Sequence, residues 1–270
     1  MREAFFVSNY PLHKYVHLVS FASMTEEQIQ YIVHIHEKMD RQGPGSDEET
    51  RKALEITGLD KHQHLEILDL GCGTGAQTRV LNENLNGSIH AFDIFEKFIN
   101  ELKTRLPFPN VKPKLNPMEE LPFMYDSLDL IWAEGAIYNM GFQNGLNYLR
   151  PFLRTGGFIG LSEITWLSEE RPKEIEDYWK QEYPEIGTIN EKIKTIEDCG
   201  YEIKGHFILS ENSWIENYYS PLAIKIHQDL DSNILSDAQL EVAHSYLNEI
   251  KTYNKFKSYF GYGFYIAQKL

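Results

Sequence analysis

A glycine-rich segment, Asp69-Leu-Gly-Cys-Gly-Thr-Gly75, directly follows a short apolar stretch that is typical of a buried strand. Its glycines allow backbone torsions and a close approach of a ligand that a β-carbon would block. A second acid, Asp93, ends the next apolar stretch. Ligands of open α/β sheets bind at the carboxyl ends of the strands, where this acid is placed to accept hydrogen bonds from two ribose hydroxyls. The segment and Asp93 together predict a site for a nucleoside-containing cofactor.

Two classes of cofactor fit this pattern. The spacing Gly71-x-Gly73-x-x-Ala76 also satisfies a permissive dinucleotide fingerprint, so an NAD(P)-dependent oxidoreductase is one alternative. Asp69 argues against it, because a carboxylate there would repel a pyrophosphate, whereas it can anchor the loop or face the cationic end of an amino acid. Asp93 suits either class. A protein that binds its cofactor or the cofactor's product without turnover is a further alternative.

The elements that must position these residues alternate between strands and helices. Strands are expected over residues 65–70, 88–93, 111–115, 128–133, 158–164, 201–209 and 263–268. Helices are expected over residues 25–39, 47–57, 77–85, 95–106, 189–196, 221–230 and 236–257, with one more around residues 175–179. Repeated βα units predict an α/β fold, with a parallel sheet and helices on both faces.

The remaining stretches predict covers over the ligand edge of this sheet. We expect a single domain over residues 1–270, which is long enough to bury a sizeable core. Its predicted parts are an N-terminal helical cover (25–60), a cofactor-binding core (61–210), a helical insert (211–258) and a last strand (259–270). The N-terminal cover contains the break Arg41-Gln-Gly-Pro-Gly-Ser46, which cannot continue a helix.

Composition and charge exclude several kinds of partner. The formal net charge of −14 argues against nucleic acid and against an anionic membrane surface, since both need clustered Lys and Arg. Cys72 and Cys199 give no disulfide framework, and residues 1–23 resemble neither a signal peptide nor a membrane span. We therefore predict a cytoplasmic protein with a small-molecule substrate. Its oligomeric state is open, with a homodimer as one option.

Three motifs together carry a resemblance to a known family. Ile67-Leu-Asp-Leu-Gly-Cys-Gly-Thr-Gly75 resembles the first motif of the class I S-adenosylmethionine-dependent methyltransferases. The chain is more narrowly similar to bacterial small-molecule methyltransferases related to the ubiquinone/menaquinone-biosynthesis group. It shares Met39-Asp-Arg-Gln-Gly-Pro-Gly-Ser46 and Ile131-Trp-Ala-Glu-Gly-Ala-Ile-Tyr-Asn139 with uncharacterised members. The resemblance covers about residue 25 to the end and implies a Rossmann-like three-layer sandwich whose last strand runs antiparallel.

The resemblance also implies roles for particular residues. Asp93 would bind the ribose hydroxyls, Met118 and Glu119 would meet the adenine edge, and Glu134 would lie near the methionine end. The full set implied for binding S-adenosylmethionine is Arg41, Gly43, Asp69, Gly71, Gly73, Thr74, Gly75, Gln77, Asp93, Ile94, Met118, Glu119, Glu134 and Gly135. Asp93 has an alternative role as a helix cap, and Glu134 as a structural partner of Arg41. Asn116-Pro117 and Thr155-Gly156-Gly157 depart from the family's usual residues, which affects only local detail.

No catalytic residue is predicted, because methyl transfer from a sulfonium requires alignment more than a base. Aromatic candidates for lining an acceptor site are Trp214, Tyr218 and Tyr219 in the insert and Tyr138 after the fourth predicted strand. His206 is a candidate base, although strand histidines are more often structural. The pairs His34/His36 and His62/His64 have no cysteine or acid to complete a ligand set, so no metal is expected.

Overall fold

A computed structural model describes residues 24–270 as a twisted sheet between helices. The strands are β1 (Leu65–Leu70), β2 (Gly87–Asp93), β3 (Val111–Leu115), β4 (Leu128–Glu134), β5 (Leu153–Trp166), β6 (Gly187–Thr188), β7 (Tyr201–Ile208) and β8 (Phe260–Lys269). The helices are α1 (Glu26–His36), α2 (Asp47–Thr57), α3 (Ala76–Asn84), α4 (Glu96–Arg105), α5 (Phe142–Leu149), α6 (Lys173–Glu182), α7 (Ile189–Asp198), α8 (Glu211–Trp214), α9 (Ser220–Asp231) and α10 (Asp237–Phe256).

The sheet has the strand order β3-β2-β1-β4-β5-β8-β7, and the two-residue β6 pairs with the end of β5. Strands β1 to β5 pair in parallel, while β8 runs antiparallel to both of its neighbours. The chain passes from β1 to β2 on one side and later returns to β4 on the other, so the loop after β1 lies at the topological switch point. The predicted α/β sandwich with an antiparallel last strand is confirmed.

Local capping explains why several predicted helix boundaries are close to the observed ones. Thr25 begins α1 with a capping box, in which its hydroxyl accepts from Gln28 N and the Gln28 side chain accepts from the Thr25 N–H. Ser46 caps α2, and Gly58 ends it in a left-handed conformation. These signals lie within one turn of the boundaries that they set, so a sequence pattern can detect them.

Three apolar clusters lie in different parts of the molecule, one on each face of the sheet and one at its ligand edge. One packs α5 and α7 against one face, and another packs α2 and α3 against the other. The third lies among the helical covers and is strongly aromatic, with three buried tryptophans and eight buried tyrosines and phenylalanines. This third cluster adjoins the carboxyl ends of β4 and β5, where Ile164 and Trp166 belong to it. The covers thus bring a large aromatic surface to the ligand edge.

The structure corrects the predictions in two places. Strand β5 begins at Leu153, not at residue 158, because Leu153 pairs with Leu128 and the chain then bulges at Gly156, whose φ is +82°. The segment after β4, for which no element was predicted, forms a 3₁₀ turn (Ile137–Met140) followed by α5. The predicted division into parts stays a prediction.

A continuous helical segment runs from Glu211 to Asp231, and its middle, Ile215–Tyr219, is a π-helix. Pro221 lies just after it. A proline inside a helix lacks an N–H donor and clashes with the carbonyl four residues earlier, so a wider turn at this point relieves both problems. The sequence pattern predicted only the part after Pro221.

No helix within residues 24–270 is long and apolar enough to cross a membrane. The prediction that residues 1–23 form neither a signal peptide nor a span concerns residues outside the described part of the chain.

Candidate active site

The loop between β1 and α3 turns on three glycines with positive φ. The φ angles are +71° at Gly71, +54° at Gly73 and +97° at Gly75, a region that strains any residue with a side chain. The space around them is also closed. A β-carbon on Gly73 would lie 2.0 Å from Oε1 of Gln42, and one on Gly71 would lie 2.6 Å from the β-carbon of Ala136. Glycine is therefore required here for both conformation and space.

Asp93 ends β2 and joins this loop through its carboxylate. Its Oδ2 accepts from the N–H of Gly73 at 3.0 Å, and its Oδ1 accepts from the N–H of Phe95 at 2.9 Å. The N-cap of α4 is Phe95, so Asp93 is not the helix cap that was its alternative role. Burial raises the pKa of Asp93 to about 6, although hydrogen bonds from the N–H groups of Phe95, Gly73 and Ile94 oppose that rise.

Asp69 lies behind the loop, fully buried. Its carboxylate accepts from the hydroxyl of Thr78 at 2.5 Å and from the amide of Gln77 at 3.3 Å. Desolvation raises its pKa to about 7. Of the two roles left open for Asp69, the structure therefore has it anchoring the loop to α3, and it does not line the cavity.

Gln42 connects the loop to the segment between α1 and α2. It belongs to the shared motif of residues 39–46, but it was not among the predicted site residues. Its Oε1 accepts from the N–H of Thr74 at 2.8 Å, while its Nε2 donates to the hydroxyl of Thr74 at 3.0 Å. The Thr74 hydroxyl also lies 3.0 Å from the backbone oxygen of Met39. The predicted N-terminal cover is thus bonded directly to the glycine loop.

Arg41 and Glu134 form a buried ion pair at the end of β4. Nη1 of Arg41 lies 2.7 Å from Oε2 of Glu134, and the two side chains are 6% and 7% exposed. Glu134 also accepts from Thr50 at 2.6 Å and from Trp132 at 2.9 Å. Burial lowers the pKa of Arg41, but the charges of Glu134 and Asp47 outweigh it, so the net shift is upward. Glu134 is therefore a structural partner of Arg41, which was the alternative role considered for it.

These elements surround a cavity at the switch point, here called the cofactor cavity. Predicted residues that line it are Arg41, Gly43, Gly71, Gly73, Gln77, Asp93, Ile94, Met118, Glu119, Glu134 and Gly135. Three predicted residues, Asp69, Thr74 and Gly75, do not line it, because they face α3, the N-terminal cover and Leu102 instead. Glu119 is exposed at the rim, so its alternative as a solvated acid stays open.

A smaller cavity adjoins the first one beneath the helical covers. We call it the aromatic cavity, and it is lined by Pro44, Tyr138, Ile164, Tyr178, Trp179, Trp214, Tyr219, Glu249, Thr252, Phe260 and Tyr262. Pro44 and Tyr138 line both cavities. Three of the four aromatic candidates from the sequence, Tyr138, Trp214 and Tyr219, are therefore in place to contact an acceptor.

The fourth aromatic candidate and the candidate histidines do not line the aromatic cavity. Tyr218 is buried, with its Oη 3.3 Å from Nε2 of His36, and His36 itself lines the cofactor cavity. His206 stacks on Tyr265 and lines neither cavity, which fits a structural role. Within residues 24–270, no group of three or more His, Cys, Asp or Glu side chains is close enough to hold a metal ion. The expectation of no metal remains a prediction.

Comparisons with known proteins agree with this geometry. Residues 67–157 match a family described as a methyltransferase domain. The chain is similar to malonyl-[acyl-carrier protein] O-methyltransferase 2 of Coxiella burnetii, with 26% identity over 211 residues that make up 76% of this chain and 80% of that protein. Its fold is similar to a SAM-dependent methyltransferase of Geobacter sulfurreducens solved with S-adenosyl-L-homocysteine (16% identity, 89% and 98% of the two chains, TM-score 0.77). A SAM-dependent methyltransferase of Thiobacillus denitrificans, solved with the same ligand, gives 17% identity, 92% and 100% coverage and a TM-score of 0.75.

The matched family spans the glycine loop, Asp93 and the end of β4, which are the parts that form the cofactor cavity. The two solved structures bear out the fold, and the family match and the Coxiella relative bear out the resemblance stated from the motifs. The family match bears out the predicted methyltransferase class, and NAD(P) is not favoured.

Proposed function

We propose that this chain, an S-adenosylmethionine-dependent methyltransferase, holds its cofactor in the cofactor cavity and its small-molecule acceptor in the aromatic cavity. The observation that carries this assignment is the position of Asp93. Its carboxylate lies at the switch point, at the edge of the cofactor cavity, and is held by the Gly73 and Phe95 N–H groups. A carboxylate fixed in this way presents its remaining lone pairs to the two hydroxyls of a ribose.

The residues around Asp93 fit the rest of the cofactor. Ile94 is 48% exposed, a large apolar side chain at the cavity that an adenine ring would cover. Gly71 and Gly73 line the cavity, and a β-carbon on either would clash with Ala136 or Gln42. Glu134 and Gly135 line the opposite end, where we place the methionine group. When bound, S-adenosylmethionine supplies an activated methyl group to a nucleophilic atom of the acceptor.

The contribution of the protein is alignment and exclusion of water. Gln42 and Arg41 bond the N-terminal cover to the glycine loop and to β4, so this cover closes one side of the cofactor cavity. Gly135 lies against the ring of Tyr262, since a β-carbon on that glycine would be 3.1 Å from Cε2. The two cavities therefore meet near Gly135, Pro44 and Tyr138, and we place the transferred methyl group there. Fixing two reactants in line accounts for much of the rate of such a reaction.

Asp93→Asn tests the cofactor assignment by isothermal titration with S-adenosylhomocysteine. Asparagine keeps the shape but replaces a charged acceptor oxygen with an N–H donor. Hydrogen bonds to charged groups contribute about 1.5–3 kcal/mol, so we expect affinity to fall at least about 10-fold. Glu96→Gln is the matched control, because Glu96 is an exposed acid in the first turn of α4, and it should bind normally. Unchanged affinity in Asp93→Asn would show that Asp93 does not hold the ribose.

Binding alone does not separate an enzyme from a protein that only holds the cofactor. Labelled S-adenosylmethionine incubated with the protein and a metabolite extract should give a labelled product, and Asp93→Asn should reduce its rate of formation. Tight binding of S-adenosylhomocysteine without any labelled product from a broad set of acceptors would favour the non-catalytic alternative.

We also retain two coarser proposals. A cytoplasmic location is supported by two cysteines that are buried and not joined in a disulfide, and cell fractionation would test it. The homodimer remains one option for the oligomeric state, for which light scattering after size exclusion gives a direct answer.

A further inference from the structure

Glu249 places a carboxylate among the rings of the aromatic cavity. It projects from α10, is half-buried and accepts a hydrogen bond from the hydroxyl of Tyr219 at 2.8 Å. Burial raises the pKa of six surrounding tyrosine hydroxyls and the charge of Glu249 raises it further. These tyrosines are Tyr138, Tyr178, Tyr218, Tyr219, Tyr246 and Tyr262. Neutral phenols therefore surround one carboxylate.

The charge around this cavity is consistently negative. Among the described residues that line it, there is no Lys, Arg or His. Glu182 of α6 lies near enough for the charge of Glu249 to add to the desolvation that raises its pKa. The faces of aromatic rings carry negative partial charge as well. Glu249 and the ring faces of the lining thus both favour a cation.

Two indole groups of the same lining are incompletely bonded. Trp179 and Trp214 are 5% and 4% exposed, and within residues 24–270 no hydrogen-bond acceptor is placed for either Nε1–H. A buried N–H without an acceptor costs free energy, so tightly packed cores rarely contain one. Both Nε1 atoms are themselves buried, so other atoms of these two residues line the aromatic cavity.

From this arrangement we propose that the acceptor is a small aliphatic amine, with the nitrogen held between the aromatic rings and Glu249. The proposal rests on the proposed function, because it assumes that methyl transfer takes place where the two cavities meet. Rings of several aromatic residues around a cation are a known means of binding ammonium groups. Here Tyr138, Trp214 and Tyr262 would provide rings, and Glu249 the opposite charge.

The charge balance of the reaction favours this acceptor. The neutral amine, having lost a proton to water, forms the new N–C bond while the C–S bond breaks and its electrons remain on sulfur. The positive charge therefore moves from sulfur to nitrogen, which is toward Glu249. A fixed carboxylate and ring faces on the nitrogen's side stabilise the transition state more than the ground state. For a carboxylate or phenolate acceptor the same groups would be repulsive.

The proposal is tested with two probes of nearly equal shape, choline and 3,3-dimethylbutan-1-ol, in which carbon replaces the charged nitrogen. Both are titrated into the protein saturated with S-adenosylhomocysteine, and the fluorescence of Trp179 and Trp214 is followed together with calorimetry. Interactions of a desolvated cation with aromatic rings contribute about 2 kcal/mol, so we expect choline to bind at least about 10-fold more tightly. Equal affinities, or no choline binding to this complex, would overturn the proposal.

Glu249→Gln isolates the carboxylate and keeps its size. We expect this variant to bind choline about 5–10-fold more weakly and the neutral probe unchanged. Glu241→Gln is the matched control, since Glu241 is an exposed acid on the same helix and should leave both affinities unchanged. Choline affinity that is the same in Glu249→Gln as in the unmodified protein would contradict the assignment of Glu249.

The cofactor titration separates this proposal from the proposed function. Glu249→Gln should bind S-adenosylhomocysteine normally, which also shows that the variant is folded. Loss of choline discrimination with intact cofactor binding concerns the acceptor alone. Failure of the unmodified protein to bind S-adenosylhomocysteine would instead contradict the proposed function. In assays with labelled cofactor, the unmodified protein should then methylate small amino alcohols in preference to carboxylic acids and phenols of similar size.

Discussion

The buried pair of Arg41 and Glu134 joins the N-terminal cover to the end of β4, and Arg41→Met should weaken the fold through it. Methionine replaces the aliphatic part of the arginine side chain but leaves Glu134 without its cation. Removing one member of a buried ion pair costs about 3–5 kcal/mol. Because Glu134 still accepts hydrogen bonds from Thr50 and Trp132, we expect the free energy of unfolding to fall by about 3 kcal/mol, the lower end of this range. For a chain of this size that corresponds to a Tm lower by about 6–12 °C.

Urea unfolding, followed by circular dichroism, measures this loss, and a double-mutant cycle assigns it to the pair. Glu134→Gln should cost less, because Arg41 keeps Asp47 at 3.1 Å. The double variant should cost clearly less than the sum of the two single ones. Arg79→Met is the control, since Arg79 is 36% exposed and forms a surface pair with Asp47, and it should cost under about 1 kcal/mol. The reasoning fails if Arg41→Met loses no more than Arg79→Met, or if the two single effects are additive.

Two further predictions concern the glycine loop and its acid. Gly73→Ala should weaken S-adenosylhomocysteine binding at least about 10-fold, since its β-carbon would displace Gln42. Gly58→Ala is the control, because Gly58 has a similar φ of +63° and an added β-carbon there would have no atom within 4 Å. Calorimetry on both variants therefore separates the clash from backbone strain. Equal affinity of the two variants for S-adenosylhomocysteine would contradict the clash. Affinity for S-adenosylhomocysteine should also fall as pH is lowered through about 6, because protonation removes the acceptor that Asp93 offers. Asp93→Asn should lose this dependence, and an unmodified protein with a flat profile would argue against Asp93.

The parts of the molecule that sequence predicts well are those set by local chemistry. Ser46 and Gly58 bound α2 at the predicted residues, and the strand before the glycine loop was expected over its observed length. The loop itself, with Asp93, lies where the motif indicates. In each case, the residues that determine the structure are adjacent in sequence or belong to a repeating βα unit.

The parts that sequence did not predict depend on distant partners. Gln42 is an ordinary polar residue in a break between helices, and its importance arises only from Thr74, 32 positions away. For Asp69 the sequence left two roles open, and only the bonds of its carboxylate to Thr78 and Gln77 select the loop anchor. Glu249 carries no motif, since its neighbours come from α6, the 3₁₀ turn, the π-helix and β8. A sequence pattern within one segment cannot predict which residues of distant elements pack together.

The π-helix of Ile215–Tyr219 bears on how this protein's specificity can evolve. A π-helix amounts to an α-helix with one residue inserted, and such insertions are frequent at functional sites. Deleting one residue there would rotate the preceding turn by about 100° relative to α9 and carry Trp214 away from its position in the aromatic cavity. Asp93 and the glycine loop would be untouched. Gaining or losing a single codon in this helix would therefore change the lining of the aromatic cavity in one step, without altering any residue of the glycine loop.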